Sequence, residues 1–146
     1  PYKTFINTRI SQYSMAETKF VINDSKTGKT YQKALEDSTL VDKKVGETVT
    51  GDFLGLEGYE LQITGGSDSA GFPMRKEIDG TGRKRGLFLG GVGVKTKRAG
   101  VRQRKTVCKN TISENIVQVN LKVVKYGSKK LEELFPKKEE EKPKAE

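Results

Sequence analysis

The sequence contains no histidine, no tryptophan and a single cysteine, Cys108. A zinc centre built from cysteine and histidine needs at least three such ligands, and an internal disulfide needs two thiols, so the chain can form neither by itself. Without histidine, acid–base catalysis would need a carboxylate, lysine, tyrosine or cysteine whose pKa is shifted in a pocket. No motif points to such a pocket, and we expect no enzymatic activity, no metal and no cofactor.

Hydrophobic residues are also scarce. They make up 33% of the 146 residues, and charged residues make up 32%, so the chain can form one small core. We expect a domain over residues 15–135, a disordered extension over residues 1–14 before an alternative natural start at Met15, and a solvated charged tail over residues 136–146. No apolar run approaches the roughly 20 residues of a membrane span, so we predict a cytoplasmic protein without membrane contact.

Alternation of apolar and polar residues indicates β-strands. It is clearest in YELQIT (residues 59–64) and longest in IVQVNLKVVKY (residues 116–126), and weaker signals lie in residues 18–23, 30–35 and 85–94. The segment 34–46 is ambiguous between helix and loop. The pattern predicts a mainly β fold, a small β-barrel-like domain with glycine-rich turns, a basic loop and a short C-terminal helix that Ser128 caps.

Two glycine-containing segments resemble nucleotide-binding motifs but lack the required spacing. Residues 28–30 (GKT) could end a P-loop, but the position of its first glycine holds Asn23. The glycines of residues 90–93 do not form a GxGxxG motif, because the last glycine position holds Thr96. We therefore predict a hairpin turn at Gly28 and no dinucleotide site.

Two isolated residues, Asp68 and Cys108, could take part in chemistry. Asp68 lies in GGSDSAG, where a short carboxylate more often accepts hydrogen bonds from turn amides. Cys108 lies near Arg104, Lys105 and Lys109, which could lower the pKa of its thiol. A lone cysteine in a strand-like segment is more often a small packing residue, so we expect a structural role for both residues.

Positive charge is concentrated in one segment. Residues 75–109 contain twelve lysines and arginines and two acids, a net charge of +10, whereas the whole chain carries +9, so the remainder sums to −1. Such a segment repels itself in isolation and is stabilised when phosphates neutralise it and release counterions. The predicted partner is a nucleic acid.

A solvated charged face is the plain alternative for this segment, because such faces are common in soluble proteins. However, six of the twelve basic residues are arginines, whose planar guanidinium groups bind phosphate through two hydrogen bonds and stack on unpaired bases. Phe88 is the only aromatic residue in the segment, so base stacking is not expected to be the main mode of binding. Recognition of RNA by backbone and shape fits better.

Several motifs go beyond composition. They are ITGGSDSAGFPM (residues 63–74), KTKRAGVRQRKTV (residues 95–107) and the strand that begins at residue 116. Together with KFVINDSKTGKTYQ near the start, they resemble small-subunit ribosomal protein six of the archaeal and eukaryotic type, in its short archaeal form. The resemblance covers about residues 19–135. The chain departs from it at Ser25, Cys108 and Lys109, where the family usually has proline, arginine and glycine.

The resemblance implies a non-catalytic constituent of the small ribosomal subunit that contacts small-subunit rRNA and neighbouring ribosomal proteins in the cytoplasm and has no small-molecule substrate. The residues expected to bind RNA are Arg83, Lys84, Arg85, Lys95, Lys97, Arg98, Arg102, Arg104, Lys105 and Lys109. Those expected to shape loops are Gly65, Gly66, Gly71, Phe72, Pro73, Met74 and Gly100. Whether residues 71–74 pack on the domain or touch RNA is left open. A barrel domain that binds DNA or an acidic protein outside the ribosome is the alternative function.

Overall fold

The computed structural model describes residues 17–35, 39–95, 98, 100–127, 129 and 131–135. The expected extension over residues 1–14, the expected tail over residues 136–146, Lys97 and the expected helix cap Ser128 lie outside these residues. Within the described part, the chain forms seven β-strands and one short α-helix. The prediction of a mainly β fold is confirmed.

The strands form two sheets. They are β1 (Thr18–Asn23), β2 (Thr30–Leu35), β3 (Thr48–Thr50), β4 (Glu60–Asp68), β5 (Arg83–Phe88), β6 (Gln103–Cys108) and β7 (Ile116–Lys125). Five strands form one sheet in the order β2-β1-β7-β4-β3, in which β1 and β7 are parallel and the other neighbours are antiparallel. The other two, β5 and β6, pair with each other as an antiparallel ribbon.

The core lies against one face of the five-stranded sheet. Leu61 and Ile63 of β4 and Val119 and Leu121 of β7 are fully buried and alternate with more exposed neighbours. Phe20 of β1 packs in the same cluster. Successive side chains of a strand point to opposite faces, which is why the period-two pattern locates these strands correctly. Burial of each large apolar side chain contributes about 1.5–3 kcal/mol to stability.

Residues outside the sheet complete the core. A 3-10 helix (Asp52–Leu54) contributes Leu54, and helix α1 (Leu131–Leu134) contributes Leu131. Phe135 stacks on Tyr31 of β2 with 5.6 Å between the ring centroids, which attaches the segment after β7 to the domain. None of the helices in the described part of the chain has the length and apolar character needed to cross a membrane.

The structure does not confirm the predicted β-barrel-like domain. Its five-stranded sheet is open, since no ladder among the described residues joins the edge strands β2 and β3, and a barrel needs hydrogen bonding around its whole circumference. The strand predicted around Leu87 begins earlier, at Arg83, and its three consecutive basic side chains are exposed. Because charged side chains cannot line a core, β5 pairs with β6 outside the main sheet. The edge strand β3 has only three residues, too few to establish a period, and escapes prediction.

Gly65 and Gly66, expected to shape a loop, lie inside β4 beside a shift in its register with β7. A Cβ atom on Gly66 would lie 2.3 Å from the carbonyl oxygen of Gln118 and 3.2 Å from Sδ of Met74, whereas one on Gly65 would meet nothing within 4 Å. The missing side chain at Gly66 therefore allows β4 and β7 to approach and Met74 to pack over them.

Asp68, the last residue of β4, joins the main sheet to the ribbon. Its Oδ1 accepts hydrogen bonds from the amides of Ala70 and Phe72 at 3.0 and 2.9 Å, the turn role expected from the sequence. Its Oδ2 accepts hydrogen bonds from Nε of Arg83 at 2.5 Å and from the thiol of Cys108 at 3.2 Å. Burial raises the pKa of Asp68, but the hydrogen bonds from Arg83, Phe72 and Cys108 and the guanidinium charge outweigh it and hold the pKa below its usual value.

We predict that Gly66→Ala lowers the free energy of unfolding by about 1–3 kcal/mol, the range found when a packed site receives extra atoms. The matched control Gly65→Ala adds the same methyl group to the adjacent residue of the same strand and should change this energy by less than about 0.5 kcal/mol. Urea denaturation measures both values. Equal losses would mean that the contact with Gln118 is not the cause.

We predict that Asp68→Asn lowers the free energy of unfolding at neutral pH by about 1–3 kcal/mol, because Arg83 loses an ionised partner. The folded pKa of Asp68 is depressed. Its contribution to stability is therefore present above the unfolded pKa of about 4 and is lost as the pH falls through the folded value. The difference between parent and variant should narrow as the pH falls from about 5 to about 2. Urea denaturation across this range measures it.

Asp24 provides an internal control for that titration. Burial raises the pKa of Asp24, but hydrogen bonds from Tyr126, Thr27 and the amide of Lys26 bring it to about 2. Because Asp24 is present in both proteins, its own acid sensitivity cancels in the difference. A difference that stays constant with pH would contradict a stabilising ion pair at Asp68.

Candidate nucleic-acid interface

The residues predicted to bind RNA lie on β5 and β6 and around the loop between them. We call residues 83–109 the basic ribbon. On its strands lie Arg83, Lys84, Arg85, Arg104 and Lys105. In the connecting loop lie Lys95, Arg98 and Arg102, and Lys109 directly follows β6, whereas Lys97 is outside the described residues. About half of the segment expected to be a basic loop therefore forms a two-stranded ribbon. Hydrogen bonds between its two strands satisfy backbone N–H and C=O groups.

Cross-strand pairing gives the basic ribbon two charged faces. Arg85 and Leu87 of β5 lie on one face with Arg104 of β6, which pairs directly with Leu87. Lys84 and Lys105 lie on the opposite face. All four basic side chains are exposed. Both faces can therefore meet a polyanion without a change in the fold.

Exposed apolar side chains accompany these charges. In the described part of the chain, four of the five large apolar side chains recorded as exposed lie in the basic ribbon, namely Leu87, Leu89, Val92 and Val101. Leu87 is 63% exposed although it is in the middle of a strand. Apolar groups concentrated on one exposed segment are typical of a surface that a partner covers. The ribbon therefore offers apolar contacts as well as charge.

Arg75 belongs to the basic segment but is buried and has a structural role. Its Nε donates to the carbonyl oxygen of Val92 at 2.9 Å, Nη2 donates to that of Gly90 at 2.6 Å, and Nη1 binds Glu77 at 3.1 Å. Its guanidinium group also lies 4.3 Å from the centroid of the Phe88 ring. Arg75 thereby fixes the loop after β5 and covers the ring of the only aromatic residue in the segment.

Arg83 serves both the joint and the surface. It binds Asp68, and its guanidinium carbon lies 5.1 Å from the centroid of the Phe72 ring. The hydrogen bond to Asp68 raises the pKa of Arg83, so the side chain stays charged. Because 46% of the side chain is exposed, part of it remains accessible to a partner.

Residues 71–74 pack mainly against the domain. Met74 is buried, and its amide donates to the carbonyl oxygen of Gly66 at 2.9 Å. Phe72 packs against the core, and the carbonyl oxygen of Pro73 accepts a hydrogen bond from the amide of Cys108. Gly71 is exposed and has a positive φ of 80°, which suits a turn. The sequence left open whether residues 71–74 pack on the domain or touch RNA. The contacts of Phe72 and Met74 are packing contacts.

The remaining glycine of the predicted set, Gly100, lies in the exposed part of the connecting loop. Its φ is +79°, a conformation that residues with a side chain rarely adopt. A Cβ atom there would meet no other atom within 4 Å. Gly100 therefore meets a backbone requirement rather than a packing requirement.

Cys108 is a packing residue in this structure. It is buried at the base of the ribbon. This burial, together with the smaller effects of the hydrogen bond to Asp68 and of the charge of Asp68, raises the pKa of its thiol to about 11. The three nearby cations therefore do not create the reactive thiol that the sequence left possible. In the described part of the chain, no group of three or more histidine, cysteine, aspartate or glutamate side chains is arranged to hold a metal ion.

Two structural features of the site escape sequence reasoning. The partnership of Asp68 with Arg83 joins residues fifteen positions apart. The role of Arg75 depends on a loop fifteen to seventeen residues later, so no local pattern marks it. The one available signal is that Arg75 precedes the dense basic clusters and directly follows the apolar residues 72–74. That position suggests a side chain at the edge of the core.

Comparisons with known proteins agree with the motifs. The family described as Ribosomal protein S6e matches residues 18–136. The small ribosomal subunit protein eS6 of Methanocaldococcus jannaschii is 52% identical over 121 residues, which covers 83% of this chain and 92% of the relative. The proteins of the same name from Archaeoglobus fulgidus and Methanosphaera stadtmanae are 47% and 48% identical over 128 and 126 residues. These alignments cover 85% and 84% of this chain and 99% and 95% of the two relatives.

Both findings cover nearly all of the described domain. The family match begins at the first residue of β1 and continues past α1. The resemblance inferred from the motifs is thus confirmed. The chain belongs to the ribosomal protein S6e family, which is a family of structural ribosomal proteins and not of enzymes.

Proposed function

We propose that this protein is a structural constituent of the small ribosomal subunit that binds small-subunit rRNA through the basic ribbon and takes part in translation. The observation that carries the proposal is the distribution of its charge. Eight basic side chains of the ribbon are exposed, and they are Arg83, Lys84, Arg85, Lys95, Arg98, Arg102, Arg104 and Lys105. Lys109 is half-buried at the base. Lys97, outside the described residues, is included in the proposal on its sequence position alone.

Counterion release supplies the driving force. Each cation that neutralises an RNA phosphate releases condensed counterions, and the logarithm of the affinity falls with the logarithm of the salt concentration by about 0.7–0.9 per contact. A ribbon with exposed cations on both strands and both faces can make several such contacts at once. Arginine adds a planar fork that binds a phosphate through two hydrogen bonds.

The mode of recognition follows from what the ribbon lacks. Arg75 occupies one face of the half-buried Phe88 ring, so at most one face of the ring could stack on a base. Exposed leucines and valines can cover ribose and base edges but form no hydrogen bonds with them. We therefore infer that the ribbon reads the backbone and shape of a folded RNA rather than its base sequence.

The names of the relatives indicate where the protein acts. Proteins called small ribosomal subunit protein eS6 in three archaea share about half of their residues with this chain. By this relationship we place the protein in cytoplasmic ribosomes beside rRNA and other ribosomal proteins. The exposed apolar residues of the ribbon are the proposed site of contact with either class of neighbour.

We predict that replacing Arg98, Arg102 and Arg104 together with alanine weakens binding to small-subunit rRNA and leaves the fold intact, since all three side chains are exposed. The slope of log affinity against log salt concentration should become shallower by about 2, the loss expected for three phosphate contacts. Filter binding of the full chain over a range of salt concentrations, with tRNA and duplex DNA as competitors, measures both effects.

A matched control replaces three exposed lysines outside the ribbon, Lys19, Lys43 and Lys122, with alanine. This triple variant loses the same net charge, so binding driven by overall charge alone would weaken equally in both. We expect its salt dependence to change by less than half as much as that of the arginine variant. Loss of thermal stability in the arginine variant without loss of rRNA binding would contradict the assignment.

A further inference from the structure

A surface cavity of about 390 Å³ lies at the side of the basic ribbon, where the loop after β5 meets β6. Its lining residues are Gly91, Gly93, Val94, Lys95, Gln103 and Lys105. Two of these carry an ammonium group, one carries an amide side chain, and none is acidic. The cavity therefore has hydrogen-bond donors and positive charge but no anion of its own.

Arg75 determines which way the backbone of this loop points. Its guanidinium group binds the carbonyl oxygens of Gly90 and Val92, and no peptide bond in the described residues is cis. In a trans peptide, the carbonyl of one residue and the N–H of the next point in opposite directions. The N–H groups of Gly91 and Gly93 therefore point away from Arg75, and both glycines line the cavity.

These two N–H groups have no acceptor among the described residues. In the same loop, the amide of Val94 donates to the carbonyl oxygen of Gly91 at 3.1 Å, but the amides of Gly91 and Gly93 donate to no group in this part of the chain. Backbone N–H groups that converge on a concave surface form an anion-binding site, because each adds a fixed partial positive charge.

Close packing also explains why both positions are glycine. A Cβ atom on Gly93 would lie 2.7 Å from Cγ of Pro73, and one on Gly91 would lie 3.1 Å from Nη2 of Arg75. Both residues also have positive φ, +91° at Gly91 and +79° at Gly93. Any side chain would push the loop away from Pro73 and Arg75 and change the direction of the two amides.

We propose that this cavity binds a single phosphate group, held by the amides of Gly91 and Gly93 and by the ammonium groups of Lys95 and Lys105. The proposal rests on the proposed function in one respect, namely that a phosphodiester of the rRNA backbone occupies the cavity in the ribosome. The volume is sufficient for a phosphate together with its sugar. The site thus gives the basic ribbon one fixed contact point among flexible side-chain contacts.

The experiment follows the amide resonances of Gly91 and Gly93 in the ¹⁵N-labelled full chain. Dimethyl phosphate, which represents an RNA phosphodiester, and inorganic phosphate are titrated separately at constant ionic strength against chloride. Both phosphates should produce saturable shifts at the two glycines, and chloride should not. Absence of a saturable shift at either glycine would overturn the site.

Two lysine variants test the side chains. Lys105→Ala removes a cation that lines the cavity, and Lys84→Ala removes one from the same face of the ribbon outside it. Lys105→Ala should weaken phosphate binding at least about threefold, and Lys84→Ala should change it by less than about twofold, because a direct contact exceeds a screened charge in effect. Equal effects would overturn the proposed contact with Lys105.

Arg75→Lys tests the orientation of the loop separately from its charge. Lysine keeps the positive charge but lacks the planar fork that binds two carbonyl groups. The glycine amides of this variant should respond to phosphate at least about threefold more weakly, although Lys95 and Lys105 are unchanged. An unchanged response would show that Arg75 does not position these amides.

The final step distinguishes RNA from free phosphate as the occupant. In protein saturated with a small-subunit rRNA fragment, inorganic phosphate should no longer shift the two glycines, because the RNA backbone fills the cavity. A remaining response would overturn the RNA assignment and indicate a site for free phosphate. The small-ion titration involves no rRNA, so it would survive failure of the proposed function, and rRNA binding by Arg98, Arg102 and Arg104 would survive failure of the site.

Discussion

The structure depends on attaching a ribbon that cannot be buried to a sheet that must be. Asp68 provides the attachment, because one carboxylate binds Arg83 and Cys108 at the base of the ribbon and two amides of its own turn. Backbone contacts reinforce it: the amide of Cys108 donates to the carbonyl oxygen of Pro73, and the amide of Arg75 donates to that of Cys108. A charge in this position stabilises only while it remains paired, since leaving one buried partner alone is costly. The joint is therefore sensitive to substitution of either partner and to acid.

Two kinds of arginine follow from this arrangement. Arg75 and Arg83 form hydrogen bonds within the domain. Arg75 donates to two loop carbonyl oxygens, and Arg83 donates to Asp68. Arg85 and Arg104 lie exposed on the ribbon. Arg75 thus serves the fold alone, Arg83 serves both the joint and the exposed surface, and Arg85 and Arg104 remain available to a partner. A count of arginines in the segment therefore overestimates the number of guanidinium groups available to the predicted nucleic-acid partner.

Sequence reasoning succeeds where one face of a strand is buried against the core. The strands around Leu61 and Leu121 are located by alternation, because the period of two reflects burial on one side. The ribbon strand β5 has no buried face and so no such period, and its start at Arg83 could not be predicted. The predicted β-barrel-like domain is not confirmed, because β5 and β6 form a separate sheet and the edge strands β2 and β3 do not pair with each other. Closure depends on how edge strands pair, and that information is not local.

The glycine-rich loop after β5 shows what remains invisible in a motif search. The spacing of the glycines at residues 90–93 does not match a dinucleotide fingerprint, and it leaves the role of these glycines unexplained. Their purpose appears only when Arg75 is seen to hold two carbonyl groups of the loop, which turns two amides outward. In the proposed phosphate site, a buried arginine would shape the cavity without touching the phosphate. The charge of Arg75 is balanced by the two loop carbonyls, by Glu77 and by the ring of Phe88. The same two peptide groups direct the positive ends of their dipoles, the N–H groups, away from Arg75 and toward the cavity.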